Sequence, residues 1–256
     1  IQIFGSEPEI MAQAVEKSIN PRNDIAAVDI NMGCPVPKIV KNGEGAALMK
    51  NEDLALRVVD AVVGASNKPV SVKLRLGWDF DSLNCISLGK KLAQTGISHI
   101  TLHGRTRSQL YTGHANWDMI AEMVEEVPLP ILGNGDITTP QEAVQRLKES
   151  KAAGIAIGRG AVGKPWIFKH ITDTLEGREP MECNLSFLME VARKQLQIAC
   201  ESKGEKVGVV QMRKQLLTYV KGLPHASALK QELLAETTMD GVLAVLTQYE
   251  DSNISS

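Results

Sequence analysis

Several things this chain has little of narrow its function before any motif is read. No run of about 18 apolar residues could cross a bilayer, and no charged-then-apolar leader precedes the first strand-like segment. Neither charge sign dominates: 28 Lys and Arg against 30 Asp and Glu leave −2. Nothing global therefore calls for nucleic acid or an anionic membrane, and either partner would have to meet a local patch. Only four cysteines occur, at 34, 85, 183 and 200, with no Cys-x-x-Cys among them. That scatter argues against a disulfide framework or a zinc site and fits a reduced, cytoplasmic setting. The histidines and carboxylates lack ligand spacing, so no metal is expected. The dinucleotide fingerprint Gly-x-Gly-x-x-Gly is missing after the first strand, which counts against a doubly wound open sheet.

What is present is a strand–helix alternation over residues 1–177, the mark of parallel βα units. Strands are expected at 1–4, 27–31, 70–74, 97–103, 131–134 and 154–158, as nearly continuous apolar runs covered on both sides. Helices are expected at 7–17, 52–63, 83–95, 117–126 and 140–147, with Gly64 and Gly96 where two of them should stop. Thr139, Pro140 and Glu142 spell a capping box with proline at the first helical position. From 184 to 250 the pattern becomes three or four helices without strands, at 185–201, 207–220, 226–234 and 240–249. A separate helical domain is the simple interpretation. Six strands are counted where a closed (β/α)8 barrel needs eight. The chain opens without an initiator Met, directly on Ile1-Gln2-Ile3-Phe4, so a cut beginning is expected.

Each strand from the second onward ends in polar residues that a packed core would reject. Asn31-Met32-Gly33-Cys34-Pro35 follows the second strand, Lys73 and Arg75 close the third, and His103, Arg105 and Arg107 close the fourth. Asn134-Gly135-Asp136 and Gly158-Arg159-Gly160 close the last two. Taken singly, Cys34 reads as a small buried hydrophobe, Lys73 as a snorkelling strand residue and His103 as a hydrogen-bonded core histidine. Five consecutive strands ending this way at one edge of the sheet point instead to a shared pocket, because buried charge must be compensated. Gly135 and the Gly158–Gly160 loop lie where barrels build phosphate sites, with Arg159 as a bidentate donor; a plain tight turn explains those two loops equally well.

In order and correctly spaced, these blocks resemble the tRNA-dihydrouridine synthases. They are Gln2-Ile3-Phe4-Gly5, Asp29 to Pro35, Lys41 to Leu48, Val72 to Gly77, His103 to Tyr111, Gly133 to Ile137 and Ile157 to Ala161. Met212-Arg213-Lys214 and Tyr219-Val220-Lys221-Gly222 resemble the helical domain of the bacterial type. The resemblance implies an α/β fold, a (β/α)8 TIM barrel followed by an all-α helical domain, here 1–177 and 184–250. It also implies FMN as cofactor, NADPH or NADH as reductant and tRNA as substrate, in a protein monomeric at full length. On the family pattern two βα units precede the Gln2 strand, so strands three to eight are present. At about 30 residues per unit, roughly 65 are absent and the chain is expected to be a fragment.

Position by position, the resemblance assigns FMN binding to Gln2, Lys73, His103, Asn134, Gly135, Asp136, Gly158 and Arg159. Cys34 becomes the proton donor, and Asn31, Arg105, Gln109 and Tyr111 line the uracil pocket or the loop beside it. Hydride to C6 of uracil leaves C5 in need of a proton, and an ordinary thiol of pKa about 8.5 is largely protonated at neutral pH. Residues 187–231 hold eight Lys or Arg against three Glu, a local surplus suited to phosphates, with Arg213 and Lys214 expected to touch tRNA. Trp166, Phe168 and Phe187 are read as core or inter-domain packing. Two rivals stand beside this: a flavin barrel dehydrogenase acting on a free pyrimidine, and a non-catalytic RNA-binding fragment.

Overall fold

A computed structural model describes residues 1–254 and divides them into two compact units, 1–158 and the residues from 159 onward. The first unit carries one six-stranded sheet, β1 (Gln2–Ile3), β2 (Val28–Asn31), β3 (Val70–Arg75), β4 (His99–His103), β5 (Ile131–Asn134) and β6 (Gly154–Ala156). All neighbours are parallel and the spatial order is the chain order. A doubly wound sheet reverses direction at a switch point; this one never does, which is how a (β/α) barrel is wound.

Helices α1 (Pro8–Ala14), α2 (Pro37–Lys41), α3 (Glu52–Ala65), α4 (Cys85–Leu92), α5 (Trp117–Glu126) and α6 (Pro140–Ser150) connect the strands. One strand face is wholly apolar, with Val28, Ile30, Val70, Val72, Leu74, Ile100, Leu102 and Ile131 buried. Val58, Val59 and Val62 of α3, Leu88 and Leu92 of α4, and Ile120 and Met123 of α5 are buried as well. Each such side chain is worth roughly 1.5–3 kcal/mol of burial.

The opposite strand face corrects the expectation of runs that are apolar on both sides. Strand side chains alternate, so Asp29 and Asn31, Ser71, Lys73 and Arg75, and Thr101 and His103 all point to it. Register lines them up as Gln2–Asp29–Ser71, Asn31–Lys73–Thr101 and Arg75–His103–Asn134. The sheet is apolar toward its helices and polar within.

Thr139 caps α6 with the reciprocal bonds of a capping box. Gly64 does not end its helix: α3 runs through it to Ala65 and stops where the Ser66 hydroxyl turns onto the Lys68 backbone. Gly96, at φ 87°, does lie in the left-handed region. α1 is shorter than expected and widens into a π turn at Val15–Ile19.

The second unit contains α7 (Ile167–Leu175), α8 (Leu185–Lys203), α9 (Glu205–Tyr219), α10 (Ala226–Ala235) and α11 (Met239–Ile254). Packing divides the chain earlier than the loss of strand pattern near 177. Trp166, just before α7, stacks edge-on against Phe187 at 5.5 Å and lies 6.1 Å from Tyr219, joining the core of Met189, Leu196, Met212, Leu216, Leu229 and Leu246. Phe168 is exposed and takes no part in a core. Among the described residues no helix is long and apolar enough to cross a membrane.

Candidate functional site

The polar face opens at the carboxyl ends of the strands, where the first unit gathers most of the residues singled out in the sequence. Asn31 ends β2 and makes an Asx turn: its Oδ1 accepts the backbone N–H of Gly33 at 3.0 Å and of Cys34 at 2.9 Å. This leaves Cys34 as a half-buried free thiol on a fixed turn. Gly45 secures the turn from behind, because at φ 59° a Cβ there would lie 2.9 Å from the Cys34 carbonyl oxygen. Asn31 Nδ2 donates to Gln2 Oε1 at 2.9 Å, and Gln2 Nε2 donates to Asp29 Oδ2 at 2.6 Å.

Lys73 pairs in register with Asn31, and its Nζ donates to Asn134 Oδ1 at 3.1 Å. Burial, reinforced by the nearby Arg75 cation, lowers its pKa to about 8. Asn134 is oriented in turn by its Nδ2 donating to the Ala156 carbonyl at 2.7 Å. His103 is buried, and desolvation with Arg75, Lys73 and Arg105 around it pushes its pKa down to about 3. It is therefore neutral. Arg105 Nη1 lies 3.4 Å from His103 Nε2, and a guanidinium can only donate, so Nε2 is the accepting nitrogen and the proton resides on Nδ1.

Arg105 is 1% exposed and works as a rivet. It donates to the carbonyls of Thr112 and Gly113 and makes a two-oxygen contact with the Asp136 carboxylate at 2.7 and 2.8 Å. Asp136 also accepts the Ala115 N–H at 2.7 Å. Both side chains are thus engaged in joining the loops after β4 and β5. Gly135 between them has φ 133°, and a Cβ there would lie 2.5 Å from that of Ala115. Gln109 turns its Oε1 back to the Thr106 N–H at 2.8 Å, and Tyr111, 55% exposed, lies over the site with its ring 6.5 Å from that of His103. Gly158 follows β6, and a Cβ there would meet nothing within 4 Å, so its backbone is open to approach.

Arg159, Arg213 and Lys214 belong to the second unit. Arg159 opens a 3-10 turn, Arg159–Ala161. Arg213 is half-buried on α9, its Nη2 donating at 3.2 Å to the carbonyl of Glu236, the residue that ends α10; one orphan helix-end acceptor is satisfied this way. Lys214 is exposed.

Arg75, placed in the shared pocket by the sequence but given no specific task there, is 2% exposed and ties the Cys34 turn to the loop after β4. Its Nε donates to the Gly33 carbonyl at 2.7 Å, and its Nη1 donates to those of Thr106 and Leu110 at 2.8 and 2.9 Å. Asp29 and Ser71 were not singled out for the pocket. The signal available was two-residue periodicity, which places Asp29 with Asn31, and Ser71 and Arg75 with Lys73.

The residues fit a flavin: a half-buried cation beside a neutral imidazole, an open glycine backbone and a fixed thiol. Among the described residues no group of three or more His, Cys, Asp or Glu could hold a metal. A family model described as dihydrouridine synthase (Dus) matches residues 1–254. Relatives include tRNA-dihydrouridine synthase B of Vibrio cholerae, 37% identical over 100% of this chain and 79% of its own length. That of Xanthomonas axonopodis pv. citri is 36% identical over 100% and 76%. A probable tRNA-dihydrouridine synthase of Rickettsia prowazekii is 38% identical over 89% and 69%. A morphinone reductase structure superposes at TM-score 0.47 with 17% identity over 69% of this chain and 50% of that one, too slight a likeness to inform function. On the family match and these relatives, the chain belongs to the dihydrouridine synthase family.

Proposed function

We propose that this chain belongs to a cytoplasmic tRNA-dihydrouridine synthase, monomeric at full length, that saturates the C5–C6 bond of uridines in tRNA with FMN as cofactor and NADPH or NADH as reductant. The observation that carries this reading is the Cys34 turn. A thiol is held by Asn31 and Arg75 at the mouth of a polar sheet face that also presents Lys73 and neutral His103. FMN, when bound, supplies two-electron transfer from the nicotinamide to the base.

The chain's own groups do the rest. Lys73, Nδ1–H of His103 and the amide of Asn134 are donors suited to an electron-rich heterocycle, while Gly158 and Arg159 suit its phosphate. C6 receives hydride and C5 takes a proton: the Cys34 S–H bond breaks as C5–H forms, and the thiolate regains its proton from water. Arg75 holds the turn that carries Cys34 through the Gly33 carbonyl. The uridine must leave its stack to reach the site. The surplus of Lys and Arg over 187–231, with Lys214 exposed, suits the phosphates of the surrounding tRNA.

Incubation of the full chain with FMN, NADPH and tRNA lacking dihydrouridine tests the proposal. The expected result is a yellow protein that adds one H2 per modified uridine in tRNA and leaves free uracil, uridine and orotate unchanged. Reduction of a free pyrimidine in place of tRNA would make it a small-molecule dehydrogenase. Tight tRNA binding without flavin would make it a binding module.

A further inference from the structure

Asp29 has no part in the chemistry above, yet it sits on the inner sheet face with both carboxylate oxygens engaged. Oδ1 accepts from Ser71 Oγ at 2.7 Å and Oδ2 accepts from Gln2 Nε2 at 2.6 Å. A carboxylate accepts and cannot donate, so Gln2 must turn its NH2 group toward Asp29. The Gln2 carbonyl then faces away, where it accepts from Asn31 Nδ2 at 2.9 Å. That in turn aims Asn31 Oδ1 at the N–H groups of Gly33 and Cys34, at 3.0 and 2.9 Å.

The far end demands the same orientation independently. Two backbone N–H groups can be met only by the oxygen of the Asn31 amide, which leaves its nitrogen for Gln2. Each of the two amides has a second, flipped orientation, and either flip would set like against like, donor on donor or acceptor on acceptor, in at least two contacts. Ser71, 3% exposed and itself donating, holds the carboxylate from the opposite side.

We infer that Asp29 is a positioning residue: its carboxylate sets the direction of a Gln2–Asn31 hydrogen-bond relay that fixes the Cys34 turn. Its meaning for catalysis rests on the proposed role of Cys34, whereas the relay rests on geometry alone. The direction distinguishes it from ordinary polar packing, since a relay with a direction can be reversed at one joint and repaired at the next.

Gln2→Glu places two acceptors against each other at the Asp29 joint. Adding Asp29→Asn restores a donor there. The introduced amide nitrogen donates to the introduced carboxylate, and the amide oxygen still accepts from Ser71. The second oxygen of that carboxylate still accepts from Asn31. The readout is the rate at which iodoacetamide alkylates Cys34, followed on the Cys34 peptide by mass spectrometry in the full chain without RNA. Gln2→Glu is expected to speed alkylation about tenfold, the scale of one lost hydrogen bond, with the thermal midpoint lowered by only a few degrees. The double variant is expected to return within about threefold of wild type. Should Gln2→Glu not fold, the double variant must regain both fold and slow alkylation. Unchanged alkylation in folded Gln2→Glu, or a double variant that is not repaired, overturns the relay. A Cys34→Ala protein with full tRNA turnover would overturn the acid role of Cys34 and leave the alkylation result standing.

Discussion

At the scale of residues, burial sets which groups carry charge. Lys73, with a pKa of about 8, is protonated at neutral pH and loses its charge as pH rises through about 8, well below the about 10.4 of an exposed lysine. FMN affinity, followed by flavin fluorescence, should therefore be level below about pH 7 and fall above about pH 8; an affinity independent of pH to 9.5, about a unit and a half beyond that pKa, would remove Lys73 from the flavin site. His103 behaves oppositely to a pH switch. Its folded pKa of about 3 lies below the unfolded value of about 6.5, so between these limits the unfolded chain binds a proton that the folded one refuses. Its contribution to stability is present above about pH 6.5 and is lost as pH falls through that window. His103→Gln should lose stability less steeply than wild type between about pH 6.5 and 4 in urea titrations. Asn31, Arg75, His103 and Asn134 stood out in the sequence because each ends a strand. Their partners did not, because Arg75 reaching Gly33, Thr106 and Leu110 depends on strand register and loop paths that no local pattern encodes.

At the scale of elements, local signals were read and non-local ones missed. The capping box at Thr139 involves residues three apart, and the structure forms it as spelled. Thr139→Ala should cost about 1 kcal/mol in urea unfolding, with tRNA turnover retained. Gly64 misled because a glycine ends a helix only where φ turns positive, and here it stays helical while Ser66 makes the turn. The short helix Pro37–Lys41 and the 3-10 segment Gly45–Lys50 went unread because neither is long enough to show a period. The Arg105–Asp136 pair links elements that are far apart in sequence. Its Arg105 side chain is 2% exposed, so removing one partner strands a buried charge. Asp136→Ala, which leaves the buried Arg105 guanidinium without its carboxylate, should lose about 3 kcal/mol or more and free the loop that carries Tyr111, seen as faster proteolysis between 105 and 113. Equal stability and protection would mean that the pair does not hold the loop.

At the scale of the whole molecule, strand order was the most legible feature: strands alternating with helices, without a dinucleotide fingerprint, imply consecutive winding, and the sheet runs β1 to β6 in order. The division of the chain was less legible, since the packing of Trp166 against Phe187 and Tyr219 is invisible to a strand count. A partner as large as tRNA should show in the salt dependence of binding. With about four phosphate contacts, affinity should fall roughly a hundredfold between about 50 and 200 mM salt; a weak dependence would argue for a small substrate. The central claim is that Cys34 protonates a uridine within tRNA. It is tested most directly by counting dihydrouridine in tRNA after incubation with FMN, NADPH and either wild type or Cys34→Ala. Wild type should form dihydrouridine, while Cys34→Ala should bind FMN, consume no less NADPH in reducing it, and form dihydrouridine at least about a hundredfold more slowly. Equal rates in the two proteins would contradict the claim.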